Sequence, residues 1–443
     1  MALTPAAQAA YDFSVGTQTV AASTLANARA RLAAGTAATD TLNAAAYATR
    51  MTLTDYPQAM ANPALNHIDF AQYINGYLYV VAEYDNRFVQ HHFFDGNADT
   101  RILDRKCPHS DVVTYGASKV YCADGQDVVF CSVSNPRDWQ IPLTAASIST
   151  GGMIAVGRQQ SAGAIIVSAM GMFKGMLAVF FEDSLQLWSV DPNPANDRKI
   201  DALAAGCAHK LSLANMTNDL FFFSHNGVRS ITRAQTMAAN WMDFDIGSQV
   251  DALTNEVRGN DSMGDYTQAI YLGTLGQYWI WHASAGKTIA YVFSFSQSVG
   301  LSAWSRYEFP LAFDAVVQLN GLVYIRAGGN IYTLDAASYT DDGTPIAVQL
   351  DTAFVDMKSP QLLKQVYALD YVTQGTAQLQ FKYDPRNPSL VTDPIVISGD
   401  SRPSALTPVE LCSTHAALSL THTANEAFEL SAFTLYYNNL GER

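Results

Sequence analysis

A hairpin unit that returns along most of the chain constrains the fold more than any other feature: a turn, a short run of aromatic and β-branched residues, a second turn and a second run. It appears first where Asn75-Gly76 leads into YLYVVAEY. It returns at residues 119–132 (KVYCADGQDVVFCS), 175–190 (GMLAVFFEDSLQLWSV), 218–232 (NDLFFFSHNGVRSIT), 276–295 (GQYWIWHASAGKTIAYVFSF) and 320–335 (NGLVYIRAGGNIYTLD). Such runs, punctuated by Gly, Asn and Asp, are the pattern of antiparallel hairpins. At Asp124-Gly125, Asn226-Gly227 and Gly328-Gly329-Asn330 the second turn carries the residue types that positive φ favours. The copies are spaced roughly 40 to 60 residues apart, as propeller blades are, because a small sheet buries both its faces only by stacking on its neighbours. We therefore expect a mainly β chain whose body, residues 56–340, is an irregular β-propeller of about six blades.

The flanks differ from this body. Residues 1–55 are rich in Ala and Thr, and residues 23–34 (STLANARARLAA) combine an N-cap candidate, helix formers and a following Gly35. Residues 41–50 repeat that composition, so a partly helical N-terminal arm is expected, one that docks on a partner for want of large apolar side chains of its own. Inside the body, residues 245–258 (DIGSQVDALTNEVR) place Ile246, Val250, Leu253 and Val257 at helical spacing, which predicts an amphipathic helix between blades. After the turn at Asp341-Asp342-Gly343 come five further alternating runs: IAVQLDTAFVDM, KQVYALDYVTQ, TAQLQFKYD, PIVIS and AFELSAFTLYYN. They predict a small appended β-sandwich over residues 341–443.

Composition narrows the functional classes. Hydrophobic residues make up 49% and charged residues 15%, far from the signature of disorder. With 26 basic against 40 acidic residues the net charge is −14, so a broad basic face that grips nucleic acid is not expected. No window is long and apolar enough for a membrane span, and the N-terminus carries no export signal. The five cysteines (Cys107, Cys122, Cys131, Cys207, Cys412) are read as free thiols of a reducing compartment. The spacing of Cys107, His109, Cys122 and Cys131 matches no standard ligand pattern, and Cys122 and Cys131 are expected to face each other across a hairpin.

No catalytic constellation emerges. Gly286-Lys287-Thr288 echoes the end of a phosphate loop, but Trp281 stands where the first Gly belongs, and a hairpin turn is the ordinary reading. His91 and His92 should point to opposite faces of a strand, as solvent or interface residues rather than metal ligands. Glu182-Asp183 and Asp341-Asp342 fall in turns, where solvation explains them. No nucleophile elbow, zinc-protease pair or dinucleotide turn is present, so neither enzymatic activity nor a cofactor is expected. A glycosidase built on carboxylates distant in sequence stays open.

The central copies are similar to the tail nozzle proteins of short-tailed bacteriophages, the family called tail tubular protein B or packaged-DNA stabilisation protein. The resemblance rests on Asp183-Ser184-Leu185 with Trp188, on His225-Asn226-Gly227-Val228 with Ser230-Ile231 read as a strand, and on the helix-like segment after them. Residues 128–139 (VVFCSVSNPRDW), Trp304-Ser305-Arg306-Tyr307 and the terminal FTLYYNNLGER add to it, so it spans roughly residues 70 to 443. It implies a structural protein of the virion tail, assembled in the host cytoplasm as a homohexameric ring. Portal and adaptor proteins would lie above it, with fibre, spike or needle proteins as further partners. Duplex DNA would pass through without tight binding, and no membrane insertion is implied. The alternative is a glycan- or receptor-binding propeller, motivated by the many aromatic residues, which stack on sugar rings.

Overall fold

The computed structural model describes residues 65–442 apart from 85–87, 95, 97–98, 103, 142–149, 161–162, 208, 217, 237–245, 255–266, 297–300, 336 and 402–405. The expected N-terminal arm lies outside the described residues. So do residue 245 and residues 255–258 of the expected inter-blade helix.

Six consecutive antiparallel meanders form an irregular β-propeller. The first joins Leu65–Ile74, Tyr77–Tyr84, Phe88–Phe94 and Asp99–Arg101; the second joins Val113–Gly116, Lys119–Asp124, Asp127–Phe130 and Gly152–Ile154. The third joins Ala169–Phe173, Met176–Phe180, Leu185–Ser189 and Arg198–Leu203; the fourth, Ala214–Asn215, Leu220–Ser224 and Gly227–Ser230. The fifth joins Gln268–Leu272, Gln277–Ser284, Lys287–Ser296 and Leu301–Phe309; the sixth, Ala315–Leu319, Leu322–Ala327 and Asn330–Leu334. The turn chemistry follows the sequence: Asn75 and Gly76 adopt φ of 51° and 89°, and Ala285 and Gly286 adopt 51° and 80°. Two successive positive values make a turn whose twist matches the strands it joins.

Blades hold together through alternate faces. Val120 and Cys122 pack with Tyr79 and Val81 of the first blade, while Tyr121 and Ala123 from the same strand pack with Leu177 and Val179 of the third. Leu220 and Phe222 join Phe180 and Leu187 of the third blade, and Phe221 and Phe223 join Tyr278 and Ile280 of the fifth. Both faces of these strands are covered, which is why they read as unbroken apolar runs rather than alternating ones. At roughly 1.5–3 kcal/mol for each large side chain buried, stacking between blades outweighs the short turns as the source of stability.

Two local readings are corrected. The strand expected to run through Ser230-Ile231 stops at Ser230, and Ile231–Thr236 is a helix. Ser230 Oγ accepts the Arg233 N–H at 3.2 Å, an N-cap that ends the strand despite the β-branched residues after it. Residues 246–250 form turns and the described residues 251–254 are helical, with Thr254 N–H donating to Val250 O at 2.8 Å. Val250 is buried and Ile246 packs into the cluster between the fourth and fifth blades, but Leu253 is 44% exposed rather than part of an apolar face.

The chain divides into two compact units, one up to Gly321 together with Arg326–Asn330, the other of Leu322–Ile325 and the chain from Ile331 on. The second unit contains a β-sandwich whose spine is the 21-residue strand Leu362–Lys382. The early part of this strand pairs with Thr407–Ser413 and Glu429–Glu442, and its later part with Ile395–Asp400 and Ala417–His422. The sequence suggested two strands here. Gly375, at φ 82°, and a register shift between Val372 and Thr376 bend one continuous strand instead of turning it back. Val366, Leu369, Leu379, Phe381, Ile397 and Leu418 close the core between the two halves.

Candidate functional site

The residues that carry the resemblance lie where the chain leaving one blade rests on a turn of that same blade. Gly157 N–H donates to Gln126 O at 2.8 Å, and Cys207 N–H donates to Phe181 O at 3.2 Å. In the fifth blade Thr288 Oγ1 donates to Leu311 O at 2.7 Å and accepts the Phe313 N–H at 2.8 Å. Three glycines permit the approach. A Cβ would lie 2.7 Å from Gln126 O at Gly157, 1.8 Å from Glu182 O at Gly206 and 2.4 Å from Val228 O at Gly247. Sequence reasoning missed them, although each follows an apolar residue (Val156, Ala205, Ile246) in a connector between blades.

Asp183 and Ser184 make the third-blade turn, closed by Phe181 N–H to Ser184 O at 2.7 Å. Leu185 and Trp188 follow in a strand and are buried. Trp188 Nε1 donates to Gln186 Oε1 at 3.0 Å, and Gln186 Nε2 reaches Val156 O at 3.2 Å and Gln160 Oε1 at 3.1 Å. Gln160 bonds Ser184 in turn, so a fully buried glutamine, absent from the sequence reading, ties the motif to the preceding connector.

In the fourth blade the two turn residues are His225 and Asn226, with Gly227 starting the next strand at φ 106°. Val228 is buried. Arg229, 1% exposed, donates to Asp251 through Nη1–Oδ1 at 3.0 Å and Nη2–Oδ2 at 2.8 Å, and also bonds the carbonyls of Val228 and Asn226. The helical turn is thereby fixed to the Asn-Gly-Val hairpin. The two motif turns meet at Glu182 and His225, 3.7 Å apart, an exposed pair that contributes little to stability.

A second cluster was invisible in the sequence. Asp69 of the first blade, Glu83 of its second strand and Asp111 of the following connector bring carboxylate oxygens within 4.8 Å of one another. This donor set suits a hard cation. Lys210, from the connector into the fourth blade, places its ammonium 2.9 Å from Asp69 and in contact with Asp111, where such a cation would sit. Burial pulls the Lys210 pKa down, but Asp111 and Asp69 more than offset it, and the net direction is upward.

The remaining sequence candidates have packing roles. His91 and His92 are both buried, not at solvent: Tyr79 Oη lies 2.6 Å from His91 Nδ1, Ser110 O lies 3.0 Å from its Nε2, and Tyr84 Oη lies 3.0 Å from His92 Nε2. Burial lowers the His91 pKa to about 3, so its ring is neutral. Cys122 does not face Cys131; the register sets Cys122 opposite Val129, with Cys131 N–H bonded to Val120 O at 3.1 Å. Both are free thiols, and burial pushes Cys131 up to about 12, which keeps it protonated and poorly nucleophilic. Ala285 and Gly286 form a hairpin turn from which Lys287 reaches Glu308 at 2.9 Å, without the helix a phosphate loop opens. Among the described residues no helix is long and apolar enough to cross a membrane.

No protein-family model and no curated protein matches the sequence. Among solved structures the chain is similar to Kluyveromyces lactis Hsv2 with complete loop 6CD, at 8% identity and a TM-score of 0.30 over 54% of this chain and 73% of that one. It is also similar to the AfRom2 CNH domain, at 7% identity and a TM-score of 0.27 over 66% of this chain and 91% of that one.

Proposed function

We propose that this chain is a structural protein of a short-tailed phage tail, a nozzle subunit whose sixfold ring retains packaged DNA and lets it pass at ejection. The observation that carries this reading is the use made of the resembling residues. Leu185, Trp188 and Val228 are buried and Gly227 lies against Asp251, so the motif supports blade packing and the seating of connectors rather than a reaction. A net charge of −14 per copy gives such a ring an overall field that repels duplex DNA, which favours passage over capture. Portal, adaptor and fibre or spike proteins are the partners of such a ring, and the virion tail is its location.

The test is to locate the protein in purified particles by immunolabelled electron microscopy and to image its symmetry there. Sixfold density at the tail end is the expected result. Absence from virions overturns the proposal, and so does tight, salt-sensitive retention of duplex DNA by the isolated chain.

A second reading, a glycan-binding propeller, is favoured by Tyr73, 68% exposed, and Tyr77, 38% exposed, which flank the Asn75-Gly76 turn. Rings presented in this way stack on sugar faces. Saturable binding on a glycan array, lost in Tyr73→Ala, would select this reading over the nozzle.

A further inference from the structure

The outermost strand of the sandwich, Glu429–Glu442, pairs among the described residues with Leu362–Lys382 alone. From Leu430 to Leu440 it reads LSAFTLYYNNL, with no charged residue and no proline. Edge strands of soluble proteins are ordinarily guarded by Lys, Pro, brevity or a covering element, because an open row of backbone donors and acceptors recruits another strand. This strand is 14 residues long, with Phe433, Tyr437 and Leu440 37%, 38% and 53% exposed. Register shifts against its neighbour skip Ser431 and Leu440, whereas residues 432–439 pair one after another, the further shift between Tyr436 and Tyr437 coming from an extra residue, Tyr367, in the neighbouring strand.

That run is self-complementary. Turned antiparallel on itself about Leu435, it sets Phe433 against Tyr437, Thr434 against Tyr436, Ala432 against Asn438 and Leu435 against its own copy. Aromatic and apolar cross-strand pairs are the stabilising unit of a sheet. Two chains each carrying −14 repel wherever their acidic surfaces meet, and this run brings none of that charge to the contact. We propose that residues 432–438 form an isologous edge-to-edge contact with the same strand of a second copy of this chain. Such a contact closes on itself as a pair. It differs from the head-to-tail contact a sixfold ring requires, and neither it nor its test rests on the nozzle reading.

The test uses the full chain with Cys412, the exposed thiol, replaced by Ser. Ala432→Cys and Asn438→Cys chains, mixed and oxidised, are expected to cross-link to each other and not each to itself. Sedimentation of the parent protein is expected to give twice the monomer mass. Asn438→Lys, at an exposed position, should shift that mass to the monomer while leaving the circular dichroism spectrum unchanged; Ala432→Lys serves if it does not fold. A monomeric parent overturns the proposal. So does cross-linking without regard to position, or an assembly that both lysine variants leave intact.

Discussion

Arg229 and Asp251 form a two-pronged ion pair of unequal burial: the guanidinium is 1% exposed and the carboxylate 23%. The arginine therefore depends on the aspartate more than the reverse. Asp251→Ala strands a buried positive charge and is expected to destabilise the first unit by about 3 kcal/mol. Urea denaturation reads this. A double-mutant cycle with Arg229→Met should recover part of the loss, since the apolar replacement removes the charge that has lost its carboxylate.

Gly227 sits against the same carboxylate. A Cβ there would lie 1.9 Å from Asp251 Oδ1, and the φ of 106° strains any L side chain besides. Gly227→Val is expected to cost about 3 kcal/mol or more, the sum of overpacking and backbone strain. Thermal melting is the measurement. In the Asp251→Ala background the steric part should shrink while the backbone part persists, so the two substitutions should not add.

Connector and turn glycines should rank by what a methyl group meets. Gly206→Ala drives a Cβ to 1.8 Å from the Glu182 carbonyl, whereas at Gly286 nothing lies within 4 Å. The first is expected to cost about 2–3 kcal/mol through forced backbone movement. The second is expected to cost about 1 kcal/mol, from its positive φ alone. Equal melting points for the two variants would contradict the seating of the connector on the turn.

His91 makes stability depend on acid. Its folded-state pKa, about 3, lies below the ordinary 6.5, so the unfolded chain binds the proton more readily. The stability of the neutral buried ring is fully present above pH 6.5 and is lost as pH falls toward 3. The loss approaches about 1.4 kcal/mol per pH unit inside that window. The difference in urea midpoint between the parent and His91→Gln should change with pH between 7 and 4 and stay flat above 7.

Lys210 holds Asp69 and Asp111 across three segments of the first unit, and the Asp69 side chain is 2% exposed. Lys210→Met is expected to destabilise by about 3 kcal/mol by leaving a buried carboxylate without its cation. Because the lysine pKa is raised, its contribution persists below the ordinary 10.5 and disappears as pH climbs through the higher folded value. Parent and variant should therefore converge in stability as pH becomes strongly alkaline.

The sequence by itself determined the repeating unit, since a strand buried on both faces has to be apolar along its run, as Leu220, Phe221, Phe222 and Phe223 are, and a hairpin turn has to carry residues such as Asn75-Gly76. Those are local requirements, and they are written locally. It also determined the blade rhythm and the location of the sandwich strand that becomes Leu362–Lys382, though not that Gly375 bends this strand rather than ending it. Only the tertiary structure decided where the connectors rest, because the need for Gly206 is set by a carbonyl of another segment, Glu182. The same holds for Arg229 with Asp251 and for Lys210 with Asp111, which is 99 residues away in sequence. A charge pair carries no periodicity, so it becomes legible only when the fold has removed both partners from water and left each as the other's replacement for solvent.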